Sequence, residues 1–382
     1  MSVNTQDIIR IAKDFAKEAY WDLQVAKILF ENLKLDTCMN NDKVFYIGRR
    51  ILYLLQQASE KAVKGYLFAY LRSWIEPMVT TVNKEIGKED RNKYTEIFTI
   101  HEKLNTLNDR LRPKEIGHKP QEVFLNIICD IYEVFHKNKN SAIKYIWYFI
   151  NKSLQNVTEG ISRIIKEYFK KSNKNSLSML EEIKMITNIT INAIADALLN
   201  AIKDYLEKLE LAEHTRESIE RICKEKKIDK PSLPCINEEV LESLKPLKEN
   251  YYKIRLEIEK QVSKEQVYEH IKKSNIVTQI IELIKAFGII NEDYMMKIIE
   301  LHAVTLQKYI INIFSSISFS DYLFAYLSKV YPCLEKYEDI GRYPEDITNS
   351  KDKICQDIEK LKHILEEVEF LVNTIKAGVE TI

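Results

Sequence analysis

The sequence predicts an all-α protein, and three observations support this fold class. Glycine and proline number only eight each in 382 residues, well below average use, whereas strand-rich and doubly wound proteins need glycine at tight turns and phosphate loops. Hydrophobic residues make up 45% of the chain and charged residues 30%, which is the composition of a globular protein. Apolar residues recur in alternating steps of three and four along most of the chain, as in amphipathic helices.

Two long helices are predicted at the start of the chain. The first runs from about Asn4 to Leu33 and the second from about Lys43 to Trp74, where Pro77 is expected to end it. Towards the end of the second helix, the side chains on one face are small. They form one stripe of Ala58, Ala62, Gly65 and Ala69. Small side chains let neighbouring backbones approach closely, so we expect a tight antiparallel hairpin.

A third helix is predicted from about Tyr94 to Arg112, with Ile97, Leu104 and Leu107 facing inward. Helical periodicity then resumes, and a loop through Gly341–Pro344 precedes a last helix from about Ser350 to Ala377. The intervening helices are predicted at about 123–135, 142–169, 178–211, 238–260, 265–287, 292–314 and 321–331. A large helical region therefore lies between the first three helices and the last one.

Charge and cysteine content narrow the classes of function. Lys+Arg and Asp+Glu both total 57, so a globally basic nucleic-acid binder is not expected, although a local basic patch remains possible. None of the six cysteines is in a C-x-x-C pair or near a histidine cluster, which predicts reduced cysteines that serve packing. With no signal peptide and no long apolar segment, we expect a cytoplasmic protein with no membrane contact, metal or cofactor.

One segment of the second helix resembles a known family. The run Q-Q-A-S-E-K-A-V-K at Gln56–Lys64 closely resembles the Q-Q-A-A-E-K-A-L-K signature in the second helix of HEPN domains, which are helical domains associated with nucleotide binding and ribonucleases. Three other segments are similar to HEPN patterns. Tyr20–Ala26 is similar to the D-L-x-x-A pattern, and Thr99–Leu104 is similar to the T-H-D-L pattern. Gly341–Asp346 is similar to the S-R-Y-P-D pattern. The resemblance implies a prokaryotic HEPN-like up-down helical bundle with a large additional helical region.

The domain organisation has two interpretations, because about 240 residues separate His101 from Arg342 where a minimal HEPN domain has a few tens. In the first, residues 1–115 form the HEPN-like bundle, residues 116–334 are a helical insertion or second domain, and residues 335–382 close the bundle. In the second, two degenerate HEPN-like bundles lie in tandem. The insertion is favoured because the matched segments occur once each and in the family's order.

Gln57, Glu60 and Lys64 lie at i, i+3 and i+7, on one face of the predicted second helix. Glu60 precedes Lys64 by four residues, the favoured order for an ion pair, so a solvated pair is one interpretation. The other places these groups beside His101 and Arg342–Tyr343 as a nucleotide or RNA site, with Arg342 as a forked donor and Tyr343 as a stacking face. For His101, a structural hydrogen bond and a catalytic role both remain open.

HEPN ribonucleases carry an R-x(4–6)-H motif, and Arg112 with His118 is the match in this chain. In that family the His moves a proton to or from the ribose 2′-OH and the Arg stabilises the phosphorane, without a metal and across a dimer interface. With 12 arginines and 7 histidines in the chain, chance alone supplies about 0.7 matches. Pro113 and Gly117 predict a loop here, so a loop ion pair is the alternative.

A basic stripe is predicted on one face of a middle helix, formed by Arg163, Lys166, Lys170 and Lys174. Such a stripe could follow the backbone of single-stranded RNA. The alternative is an exposed helix face whose late cations complement the helix C-terminus.

These patterns give two hypotheses of function. In the leading one the chain is a HEPN-family, homodimeric protein that binds RNA or a nucleotide, with metal-independent endoribonuclease activity left open, in a defence or toxin–antitoxin-like system implied by the resemblance. In the alternative it is a non-catalytic helical dimerisation or interaction module for another protein, such as a nucleotidyltransferase. The chain lacks a P-loop, G-x-G-x-x-G, H-E-x-x-H or G-x-S-x-G motif, which argues against kinase, dehydrogenase, metalloprotease and hydrolase chemistry.

Overall fold

The computed structural model describes residues 5–33, 38, 41–86, 95–112, 116, 120–132, 140–141, 144–145, 148–149, 220, 223–224, 236, 238–261, 319–342 and 351–381. Nearly all of them are helical and none of them is in a strand, which confirms the all-α prediction. The helices are α1 (Thr5–Glu31), α2 (Asp42–Tyr66), α3 (Ser73–Ile86), α4 (Thr95–Arg110), α5 (Pro120–Tyr132), α6 (Glu238–Gln261), α7 (319–329), α8 (Tyr331–Arg342), α9 (Lys351–Ile358) and α10 (Leu361–Thr381). None of these helices is both long and apolar enough to cross a membrane.

Two compact units divide the chain. The first comprises Met1–Ser73, Ile116–Leu125 and Lys226–Ile382, and the second comprises Trp74–Glu115 and Asn126–Glu225. The two ends of the chain therefore share one unit. Helix α4, which we expected in the same bundle, belongs to the second unit, so the boundaries of the units differ from the predicted ranges 1–115, 116–334 and 335–382.

The core of the first unit is built on the hairpin of α1 and α2. Asn41 caps α2 by accepting a hydrogen bond from the Val44 backbone N–H at 3.3 Å. Helix α10 packs against both helices of the hairpin, and α8 and α9 contact α2. A Cβ atom at Gly65 would lie 3.2 Å from the Ala12 carbonyl oxygen, so the predicted close approach at small residues is confirmed.

The second predicted helix does not end at Pro77. Helix α2 passes at Tyr66 into a π-helical turn, Leu67–Arg72, and α3 then contains Pro77. The π-helical turn has i→i+5 hydrogen bonds, and Pro77 is the fifth residue of α3, so the helix continues past the proline. The chain therefore stays helical as far as Ile86.

The end of the chain also differs from its prediction. Helix α8 continues through Gly341, where a loop was expected, and the last helix is two helices separated at Glu359–Lys360. Asp357 accepts a hydrogen bond from the Ile236 backbone N–H at 3.3 Å, and Lys360 donates to the Ile236 carbonyl at 2.5 Å. These side chains thus bind a distant backbone segment at the point where the helix is interrupted.

Four cysteines form disulfides, which corrects the expectation of reduced cysteines. Cys38 pairs with Cys355 in the first unit, and Cys129 pairs with Cys223 in the second. The partners are 317 and 94 residues apart in sequence, so local spacing could not reveal them. Cys333 is buried and forms no disulfide. The helices predicted within residues 150–219 and 262–318 lie outside the described residues.

Candidate functional site

The predicted pair between Glu60 and Lys64 forms, but it is buried. Lys64 Nζ donates to Glu60 Oε1 at 2.7 Å, and the side chains are only 12% and 4% exposed. Gln56 Nε2 donates to Glu60 Oε2 at 3.1 Å, and Gln57 Nε2 donates to Gln56 Oε1 at 2.6 Å. Both carboxylate oxygens of Glu60 therefore have a partner within α2, so these three predicted site residues are engaged internally.

Tyrosines from α7 and α8 cover this polar segment of α2. Ser59 Oγ donates to the Leu55 carbonyl at 2.7 Å and lies 2.6 Å from Tyr326 Oη, which leaves the tyrosine as the donor of that bond. Burial raises the pKa of Tyr326, and burial together with the Glu60 carboxylate raises the pKa of Tyr331. Both phenols therefore stay protonated and can donate.

A second buried carboxylate, Glu367 on α10, repeats this arrangement. Tyr322 Oη donates to Glu367 Oε2 at 3.0 Å, and Lys248 Nζ donates to Oε1 at 2.5 Å. Each buried carboxylate is thus balanced by one lysine, as a buried ion needs.

His101 belongs to the second unit, whereas Gln57, Glu60 and Lys64 belong to the first. Its Nε2 atom lies 2.9 Å from Asn83 Oδ1, and its Nδ1 atom lies 3.2 Å from Tyr145 Oη. Burial lowers the pKa of His101, and Glu102 opposes this only in part. A neutral ring with Nε2–H donating to Asn83 and Nδ1 accepting from Tyr145 satisfies both contacts. This geometry favours the structural interpretation of His101.

Arg112 is exposed just beyond the end of α4, where its Nη2 atom donates to Asp109 Oδ1 at 2.5 Å. Arg342 is the last residue of α8, and its side chain lies outside the described residues. The other predicted site residues that lie outside them are His118, Arg163, Lys166, Lys170, Lys174 and Tyr343. The predicted contact between Arg342–Tyr343 and His101 thus stays a prediction.

The outer side of α2 carries a surface that sequence reasoning missed. We call it the α2 basic face, and it consists of Lys43, Tyr46, Arg49, Arg50 and Tyr53. These positions follow helical steps of three and four, so they share one side of the helix. Tyr46 is 56% exposed, Lys43 and Arg50 are exposed, and Arg49 and Tyr53 are half-buried.

Cations and aromatic rings are paired along the α2 basic face. The Arg49 guanidinium carbon lies 5.7 Å from the centre of the Tyr46 ring, and that of Arg50 lies 4.9 Å from the centre of the Tyr53 ring. Such contacts hold the guanidinium planes against the rings without neutralising their charge. The charges therefore remain available to an anion.

No carboxylate lies in α2 between Asp42 and Glu60. Within the described part of the chain, none of the three cations of the α2 basic face forms an ion pair, whereas Lys27, Lys61 and Lys351 each pair with a carboxylate. The Nη1 atom of Arg49 is buried without a hydrogen-bond partner among the same residues. Burial lowers the pKa of Arg49 and Tyr46 opposes this, but a guanidinium stays charged in proteins. Among the residues that the structure describes, the α2 basic face thus holds positive charge without a carboxylate partner.

Comparison with models of known protein families, with curated proteins and with solved structures found no match to this chain. In the ranges that the structure describes, no three His, Cys, Asp or Glu side chains converge where they could hold a metal ion.

Proposed function

We propose that the chain binds single-stranded RNA through the α2 basic face, and that it belongs with the HEPN proteins that its sequence resembles. The observation that carries the proposal is the set of three cations without a carboxylate partner in the described residues, interleaved with two tyrosines on the solvent side of one helix. Lysine and arginine bind phosphates, and tyrosine rings stack on bases.

The same chemistry favours a single strand over a duplex. Tyr46 and Tyr53 are seven residues apart, which places them about 10 Å apart along the helix axis. Stacking on side chains requires unpaired bases, which a duplex does not offer. Stacking also tolerates any base, so we expect little sequence preference. RNA binding by the predicted basic stripe at Arg163–Lys174 stays a separate prediction.

We propose binding without cleavage by His101. A buried, neutral imidazole with hydrogen bonds at both nitrogens does not reach a ribose hydroxyl, and Arg112 is engaged by Asp109. Cleavage by Arg112 and His118 stays a prediction from the resemblance. Comparing wild type with His118→Ala in an RNase assay with and without EDTA checks it.

RNA binding is tested by fluorescence anisotropy with a labelled single-stranded RNA of about 16 nucleotides, at the upper end of common site sizes. We expect Arg49→Gln/Arg50→Gln to weaken binding by at least about tenfold, and Tyr53→Ala to weaken it several-fold. Arg10→Gln is the matched control, because Arg10 is an exposed arginine that pairs with Asp7. No binding by wild type, or equal affinity of the double variant, would refute the proposal.

A second function, homodimerisation, is supported by an exposed apolar stripe on α1. Trp21, Val25 and Ile28 are 58%, 45% and 58% exposed and lie at i, i+4 and i+7. Exposed Lys17 and Glu31 flank the two ends of the stripe. Two copies with antiparallel α1 helices would place Lys17 of each near Glu31 of the other, so the stripe is complementary to itself. A dimer would also present two α2 basic faces to one RNA.

Light scattering during size-exclusion chromatography tests the dimer. We expect wild type to elute as a dimer and Trp21→Lys as a monomer, because a charge would replace the aromatic anchor at one end of the stripe. Leu256→Lys, at another exposed apolar position, should leave the dimer intact. A monomeric wild type would instead fit a different protein partner on this stripe, such as the predicted nucleotidyltransferase.

A further inference from the structure

One face of α9 contacts the beginning of α2. Cys355 forms the disulfide with Cys38, which precedes α2. Ile358 packs closely on Gly48, where an added Cβ atom would lie 2.8 Å from the Ile358 side chain. Lys351 precedes Cys355 by four residues and Ile358 by seven, so it shares this face of α9. A covalent bond and close packing therefore hold Lys351 next to the first turns of α2.

Lys351 forms an ion pair with Asp42, the first residue of α2. Its Nζ atom lies 2.8 Å from Asp42 Oδ1 and 5.4 Å from the centre of the Phe45 ring. The side chain of Lys351 is 29% exposed and that of Asp42 is 80% exposed. An exposed ion pair contributes little to stability, because water screens it and two long side chains lose freedom. Its main effect is therefore on the charge of the surface around it.

Asp42 continues the α2 basic face at the N-terminal end of that face. Tyr46, Arg49 and Tyr53 follow Asp42 at i+4, i+7 and i+11, which places all four residues on one side of the helix. No other carboxylate lies in this stretch of α2. The charge that compensates Asp42 comes from Lys351, which is 309 residues away in sequence.

An unpaired carboxylate at this position would oppose RNA binding. Tyr46 and Arg49 lie about 6 Å and 10 Å from Asp42 along the helix axis. Salt screens charges strongly only beyond about 8 Å at physiological ionic strength, so a strand bound to these residues comes within range of the Asp42 carboxylate. The Lys351 ammonium lies next to that carboxylate and offsets its repulsion of the phosphates.

We propose that Lys351 of α9 completes the RNA site on the α2 basic face by neutralising Asp42. This inference rests on the proposed function, because it assigns a further residue to the same site. Lys351 is a positioning residue in this account, since it acts through Asp42 and need not touch the RNA. The site is thus assembled from both ends of the chain.

A double-mutant cycle tests the proposal, using fluorescence anisotropy at low salt with the same labelled single-stranded RNA. We expect Lys351→Gln to weaken binding about three- to tenfold, because it leaves one negative charge uncompensated beside the phosphates. Asp42→Asn/Lys351→Gln should bind like wild type, because the repelling carboxylate is removed as well. Lys351→Arg should also keep wild-type affinity, because arginine retains the charge. A merely structural role of Lys351 would not be rescued by removing Asp42.

Lys245→Gln is the matched control, because Lys245 also forms an exposed ion pair, with Glu242 on α6. It should leave RNA affinity unchanged. The proposal is wrong if Lys351→Gln binds like wild type, or if Asp42→Asn does not restore the affinity that Lys351→Gln loses. Equal losses in Lys351→Gln and Lys245→Gln would indicate only an effect of total charge and would also overturn it.

These failures are distinguishable from failure of the proposed function. If wild type binds RNA and Arg49→Gln/Arg50→Gln weakens binding, but Lys351→Gln does not, the α2 basic face remains the RNA site and only the role of Lys351 is refuted. If wild type does not bind RNA, the proposed function is refuted and this inference with it.

Discussion

Glu60 and Lys64 form a buried ion pair on α2. The spacing of Glu60 and Lys64 predicts their ion pair correctly, because residues four apart meet on a helix. The burial of the pair could not be predicted from that spacing. It depends on tyrosines of α7 and α8, and Tyr326 contacts Ser59 across 267 residues of sequence. A surface pair and a buried pair have the same local sequence pattern, but only the buried pair is costly to break.

The α2 basic face had a detectable signal in the sequence. Lys43, Tyr46, Arg50 and Tyr53 follow helical steps, and no acidic residue interrupts them. The family signature at Gln56–Lys64 begins where this face ends, so the resemblance did not point to it. The exposure of these side chains and their lack of ion pairs in the described residues required coordinates.

His101 should make the second unit sensitive to acid. Burial lowers the pKa of His101 below its usual value of 6.5, so near that pH the folded state binds fewer protons than the unfolded state. The resulting stabilisation is complete above about pH 6.5 and is lost as the pH falls towards the lowered folded-state pKa. We expect hydrogen exchange of α4 amides, corrected for intrinsic rates, to be less protected at about pH 5 than at about pH 7.5.

The control for this prediction is His101→Gln, which keeps a hydrogen-bonding side chain but cannot titrate. Its α4 protection should depend less on pH than that of wild type, even if its overall protection is lower. Equal pH dependence in both proteins would show that another group is responsible.

The faces of helix α2 contact different parts of the molecule. Its small residues face α1, its buried polar residues face α7 and α8, and its basic face points to solvent. The small stripe was predicted from the sequence because helical periodicity identifies faces directly. The π-helical turn at Leu67–Arg72 was not predicted, because the residue types of this segment do not distinguish i→i+5 from i→i+4 hydrogen bonding.

Gly65→Leu should separate α1 from α2. A Cβ at this position already lies 3.2 Å from the backbone oxygen of Ala12, and backbone cannot move aside as a flexible side chain can. We expect a loss of about 1–3 kcal/mol in the free energy of unfolding, measured by urea denaturation. Lys43→Leu, at an exposed position of the same helix, should change it by less than about 0.5 kcal/mol. Similar values for both variants would contradict close packing at Gly65.

Both ends of the chain belong to the first unit. The order of the family-like segments predicts that α1, α2 and the last helix pack together, and α10 contacts both α1 and α2. The position of α4 in the second unit was not predicted. An apolar stripe shows which face of a helix is buried, but it does not identify the element that packs on that face. Disulfides are rare in reducing compartments of most cells, so the cytoplasmic location stays a prediction.

The disulfide between Cys38 and Cys355 should stabilise the first unit by restricting the unfolded chain. We expect Cys38→Ser/Cys355→Ser to lower the free energy of unfolding by about 2–5 kcal/mol. Cys333→Ser is a control for substituting a buried cysteine that forms no disulfide. Thiol titration of the denatured, unreduced protein gives an independent check. Six free thiols there would show that neither disulfide forms.

The salt dependence of RNA affinity tests the α2 basic face most directly. For a single strand, the slope of log K against log salt concentration changes by about 0.7 for each phosphate contact. We therefore expect Arg49→Gln/Arg50→Gln to lower the magnitude of the slope by about 1.4 relative to wild type, whereas Arg10→Gln leaves it unchanged. If the double variant keeps the wild-type slope, the RNA lies elsewhere on the molecule and the α2 basic face is not its binding site.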